Sequence, residues 1–206
     1  MNFDAILNHI LDLLVNPVKE WERIREEDTP DLKSLQQYLL NRFIPIILLN
    51  SSTYFIGVAM IGVRNKELIE GARLVSPIAA IIASIVLAAG YFITIIIGGI
   101  IIKLIATSFD SEINEINSFK LAAFSLYPLL FIDNLHVIPG VKLGTLAGLY
   151  GAYLLYTGLP VLLKTPVEKC RGFTLVVSLA IIGMLALTFS LVNTIAGVGS
   201  LLRIGF

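Results

Sequence analysis

Two places in the chain set hydrogen-bonding side chains against an apolar background. Asn50, Ser51, Ser52 and Thr53 interrupt the uncharged run Phe43 to Val63. Asp133, Asn134 and His136 close the apolar run that begins after Lys120. A carboxylate and an imidazole close together can relay a proton or hold a metal ion. Two such groups are too few for a zinc site, and the other histidine, His9, is far away in sequence. The turn signal Ile138-Pro139-Gly140 follows directly, so Asp133 to His136 also reads as a polar helix end. Amides and hydroxyls in hydrocarbon seek partners, which points Asn50 to Thr53 at neighbouring helices. Asn50, Ser51, Thr53, Asp133, Asn134 and His136 are therefore the candidate polar functional site.

Other chemistry is missing from the sequence. There is no GxxxxGK[ST] phosphate loop, no HExxH and no GxSxG serine. Glu67 with Glu70, and Glu112 with Glu115, are acid pairs in charged loops and read as solvated faces. The lone cysteine, Cys170, cannot form an internal disulfide. The expectation is a non-enzyme with no catalytic residue, no metal and no cofactor. A formal net charge of zero also speaks against a general nucleic-acid surface.

The elements that must position the polar groups are membrane helices. Of 206 residues, 56% are apolar and 15% charged, where a soluble domain carries roughly 25% charged residues. Runs free of Asp, Glu, Lys and Arg extend over Phe43 to Val63, Leu74 to Ile102, Leu143 to Leu163 and Gly172 to Leu202. Each is long enough for a hydrocarbon layer about 30 Å thick. A fifth, weaker span needs 118–136, and Pro128 is expected to bend it. The fold class is all-α: a polytopic membrane helical bundle of five transmembrane helices preceded by amphipathic interfacial helices. The spans fall near 43–63, 77–102, 118–136, 143–163 and 173–192. After the last, a weakly apolar tail or a protruding helix continues.

Residues 1–40 read as a cytoplasmic or interfacial helical segment ahead of a transmembrane domain, 41–206. Phe3, Ile6, Leu7, Ile10, Leu11 and Leu14 form one stripe of an amphipathic helix. Asn16 and Pro17 mark the next helix start, with Asn16 as its expected cap. Trp21, the one tryptophan, suits an interfacial anchor. No cleavable leader pattern is evident, so the first span is expected to do the targeting. With the N-terminus in the cytoplasm, ten basic residues fall on that side and five on the other. That bias puts the C-terminus outside.

The fourth span, VKLGTLAGLYGAYLLYTGLPVLLK, looks built for close packing. Gly140, Gly144 and Gly148 share a helix face, Gly151 follows a turn later, and Tyr150, Tyr153 and Tyr156 form a neighbouring stripe.

In this order the motifs resemble the Yip1-domain family of five-span membrane proteins, in its bacterial branch. The resemblance rests on LVNPVKEWERIREED at Leu14 to Asp28, on the span opening Phe43-Ile44-Pro45, and on YGAYLLYTGLPVLLKTP at Tyr150 to Pro166. It covers about Val15 to Val192. Eukaryotic relatives are associated with vesicle traffic, and several bind Rab-type GTPases or shape membranes. Their Asp-Leu-Tyr-Gly-Pro motif is not matched here, so a Rab partner is not carried over. The resemblance implies a structural role for Tyr150, Gly151, Tyr153, Gly158 and Pro160, and no catalytic residue. A bacterial cytoplasmic-membrane protein follows, with membrane lipids and a second copy or a partner membrane protein as expected contacts. Its expected role is a membrane-organising or partner-binding scaffold. The alternative is a transporter, channel or lipid-moving protein with a polar path near Asn50, Asp133 and His136.

Overall fold

A computed structural model of the chain describes residues 11–27, 29–61, 75–134 and 144–202. His136, Gly140 and the Arg64 to Arg73 loop lie outside them. Within these limits the chain is all-helical. After helical residues 11–15 come α1 (Pro17–Glu26), α2 (Leu32–Ile56), α3 (Pro77–Ile105), α4 (Glu115–Ser125), α5 (Tyr127–Asp133), α6 (Gly144–Leu163) and α7 (Val167–Leu202). Among the described residues, four helical stretches are long and apolar enough to cross a membrane: Leu32–Met60, Pro77–Phe109, Leu146–Leu163 and Val167–Val198. This is a polytopic membrane helical bundle.

Local chemistry sets most of the helix ends. Asp31 caps α2 by accepting from the Ser34 backbone N–H at 2.7 Å. Ser76 caps α3 with Pro77 in the first position, and Asn114 caps α4. Asn16 holds the capping position of α1 but makes no side-chain cap bond, so Pro17 alone carries that start signal. Pro45 lies well inside α2 rather than in its first turns. The helix extends back to Leu32 because the polar residues ahead of the apolar run also fold helically. Asp110 and Lys164 take left-handed backbone angles, φ 52° and 50°, and turn the chain after α3 and α6. Up to Leu202 the expected tail is no separate element: α7 is one helix of 36 residues, about 54 Å at 1.5 Å rise. That exceeds the hydrocarbon thickness, so it tilts or protrudes.

The weak third segment is broken and enclosed. Pro128 supplies no N–H to the carbonyl four residues back, and the chain divides at Leu126 into α4 and α5. From Ser118 to Leu130 no side chain is exposed. By contrast, α3 turns Ile78, Ile81, Ile85, Ile93, Ile96 and Leu104 outward, and α7 does the same with Leu175, Leu179, Ile182 and Leu191. These are lipid-facing stripes. A segment surrounded by protein needs no such stripe, which is why its mean hydropathy is low.

Glycines let the enclosing helices close in. A Cβ built on Gly90 would lie 2.2 Å from Thr188 of α7, and one on Gly99 would lie 2.4 Å from the Phe119 ring. The Gly98-Gly99 pair is thus a point of close packing.

Candidate functional site

The first site is the predicted polar one. Asn50 sits on the buried face of α2 and donates from Nδ2 to the Leu130 carbonyl at 3.1 Å. One turn later, Thr53 Oγ1 lies 2.8 Å from the Asn50 carbonyl and 3.2 Å from Asn134 Oδ1, so its single proton is shared between them. Asn134 Nδ2 returns to the Leu130 carbonyl at 2.8 Å. Asp133, 8% exposed, accepts from the hydroxyl of Tyr91 on α3. Asn50 stands beside the same phenol. The end of α5 is therefore tied to α2 and α3 at once. Ser51 is 8% exposed, and its hydroxyl has no partner among the described residues. The predicted group thus comes together at Asn50, Thr53, Asp133 and Asn134, while His136 lies outside the described residues. Tyr91 is the residue that sequence reasoning missed. A tyrosine next to Gly90 in mid-span was its signal, because a buried phenol needs an acceptor.

The second site lies at the other end of α4–α5. Glu27 accepts from the Tyr38 hydroxyl and from Arg42 Nη2, the latter at 2.6 Å. Lys120, 1% exposed, donates from Nζ to the carbonyls of Ile24 at 2.8 Å and Glu27 at 3.0 Å. A cation there complements the negative end of the α1 dipole. The Arg42 guanidinium lies 4.3 Å from the Tyr38 ring centroid, and Lys120 Nζ 5.3 Å. Phe43, Phe124 and Tyr127 pack beneath, with centroids 4.5 to 5.5 Å apart. Sequence reading used Lys120 only to bound a span, because a lone lysine gives no sign that a distant helix end will meet it.

This second site fixes the N-terminal arm, 11–27, along α6. Tyr150 Oη donates to the carbonyls of Leu13 or Leu14 at 3.2 and 3.0 Å. Trp21 Nε1 donates to Thr157 Oγ1 at 3.3 Å, and Arg25 Nη1 reaches the Val161 carbonyl at 3.4 Å. The sequence offset is 137, 136 and 136 at these three points. A constant offset means that arm and helix run side by side in the same direction. The arm is docked lengthwise and does not lie across the bundle. Trp21 is 0% exposed, its ring edge-on to Phe124, so it pins the arm to the protein and reaches no headgroup.

The packing residues expected on α6 divide. Gly158 is a notch for Trp21: a Cβ there would lie 2.8 Å from the indole. Gly151 lets α6 approach the helix break, where the Ser125 carbonyl would be 2.7 Å from a Cβ. Gly148 is exposed and a Cβ there meets nothing within 4 Å among the described residues, so none of them is seated against it. Gly144 begins the helix, Pro160 lies inside its last turn, and Tyr153 is 47% exposed.

The sequence matches the Yip1 domain family over residues 11–190, most of its length. The chain belongs to the Yip1-domain family. No curated protein and no solved structure gives a match. The matched region begins with the arm, so the Yip1 domain here includes arm and dock together. Membership makes this chain a non-enzymatic, all-helical integral membrane protein. Among the described residues, no group of three or more His, Cys, Asp or Glu could hold a metal ion.

Proposed function

We propose that this Yip1-domain protein is a membrane-organising or partner-binding scaffold. It crosses the membrane five times, with α4–α5 as the broken third crossing, an N-terminal helical segment over 1–40 and a transmembrane domain over 41–206. The cytoplasmic membrane of a bacterium, with the N-terminus inside and the C-terminus outside, fits the basic-residue bias. The observation that carries the scaffold reading is the docked arm. Its exposed face carries Leu11, Leu14, Val15 and Val18 early, with Asn16 and Asp12 among them (Asp12 3.7 Å from Arg23), and is charged late, at Lys19, Glu22, Arg23, Arg25 and Glu26. Alongside a spanning helix, that gradient suits oblique insertion, with the charged half at the membrane surface and the apolar half among acyl chains or against another protein. A photo-crosslinker at Val15 or Val18 in native membranes should trap a second polypeptide. Recovery of monomer alone overturns the partner-binding form. An odd number of crossings predicts opposite labelling of the two termini by an impermeant reagent.

The transporter reading has one observation in its favour: Asp133 is a carboxylate buried inside a helical membrane bundle. Against it, Asn50, Thr53 and Asn134 spend their polar atoms on one another and on the Leu130 carbonyl. Flux through wild-type vesicles that Asp133→Asn abolishes would establish it in place of the scaffold.

A further inference from the structure

Beyond the arm, the outer surface carries a groove of about 430 Å³ between α6 and α7. Tyr153 and Tyr156 form one wall, Thr174, Leu175 and Ser178 the other, and Arg171 stands at its end in the first turns of α7. We infer that this groove is a binding site for an anionic glycerophospholipid. Arg171 pairs with the phosphate, and an acyl chain lies between the helices.

Charge supports that occupant. The neighbouring cations are already neutralised, Lys164 by Glu112 at 2.7 Å and Lys169 by Asp110. Arg171 is exposed and has no ion pair among the described residues. A guanidinium at the aqueous end of an apolar slot, with phenols beside it, matches a headgroup above a hydrocarbon tail.

The hydroxyls add an independent observation. Several hydroxyls in the spans donate to the carbonyl four residues back: Ser84 to Ala80 at 2.8 Å, Thr94 to Gly90 at 2.8 Å and Thr188 to Met184 at 3.0 Å. Thr174 and Ser178, like Ser51 and Ser125, do not, and of these four only Thr174 and Ser178 line the groove. Their Oγ atoms are buried with no partner among the described residues. Buried donors need acceptors. Thr174 lies three residues from Arg171, about 4.5 Å further along the helix. A lipid whose phosphate sits on Arg171 brings its ester carbonyls to that level, where a hydroxyl turned into the groove can donate to them.

The test is native mass spectrometry of the purified full-length protein in mild detergent. The probe is an equimolar mixture of phosphatidylglycerol and phosphatidylcholine with the same acyl chains. Both lipids bring a phosphate to Arg171, but phosphatidylcholine also brings a choline cation beside the guanidinium, so wild type should retain phosphatidylglycerol in preference by about tenfold. Arg171→Gln should bring the ratio close to one. Lys169→Gln, which removes an already paired charge, should leave it unchanged. Leu175→Trp, at a position 60% exposed, should fill the groove and lower retention of both lipids. Equal retention by wild type, undiminished preference in Arg171→Gln, or the same loss from Lys169→Gln overturns the site. So does efficient disulfide crosslinking between two copies of Ser178→Cys, which would make the groove's occupant a second chain.

Discussion

The two buried polar clusters sit at opposite ends of the broken helix pair, and they hold different things. At the Lys120 end, formal charges meet backbone carbonyls and a carboxylate above packed aromatic rings. The partners lie 93 and 96 residues apart in sequence, and what they secure is the arm. At the Asp133 end, amides, a hydroxyl, a phenol and one carboxylate tie α5 to the two neighbouring spans. Charge marks the end joined to a surface-directed arm, where water can solvate whatever is released. Neutral donors dominate the end that secures the spans to one another, where an unpaired ion would be far more costly.

That contrast can be broken by mutation. Lys120→Met strips two carbonyls of a charged donor and should cost about 3 kcal/mol or more, at roughly 1.5 kcal/mol or more for each hydrogen bond to a charged group. Proteolysis should then cut after Lys19, Arg23 or Arg25 while the spans stay intact. If the arm remains protected, the Lys120 cluster is not its clasp. Gly158→Leu overfills the Trp21 notch and should cost about 1–3 kcal/mol with the same proteolytic signature. Asp133→Asn keeps the shape but weakens the tie to Tyr91, by about 1 kcal/mol on the scale of hydrogen bonds between membrane helices. It should lower the detergent melting temperature and leave the arm protected; an exposed arm would mean that the clusters are coupled. The smallest effect belongs to Asp31. The Ser34 hydroxyl, and then the Ser34 backbone N–H, hold its carboxyl below the ordinary value of 3.8. Its contribution is therefore complete above that value and is lost as pH falls through the lowered one. Asp31→Asn should flatten this acid limb in melting curves recorded against pH.

Much of the bundle was legible in the residues. Long uncharged runs dictate helices, because only closed hydrogen bonding survives in lipid. Pro128 announced the break, and the mid-span amides announced polar contacts between helices. The glycine pattern was legible as packing but not as to which glycines pack. Gly151 and Gly158 touch neighbours while Gly148 faces outward, since the spacing alone does not show where a partner helix lies. Trp21 misled for a similar reason: an indole has the same amphipathic chemistry at a headgroup and beneath a helix.

By itself, then, the sequence determined the helices, their apolar character, a bend at Pro128 and the family. Only the tertiary structure decided that the third segment is enclosed, that the arm runs parallel to α6, and that Lys120 and Tyr91 complete the two clusters. The physical reason is range. Hydropathy, caps and prolines act within a few residues, whereas a buried cation or phenol is placed by whichever distant carbonyl or carboxylate the packing brings to it.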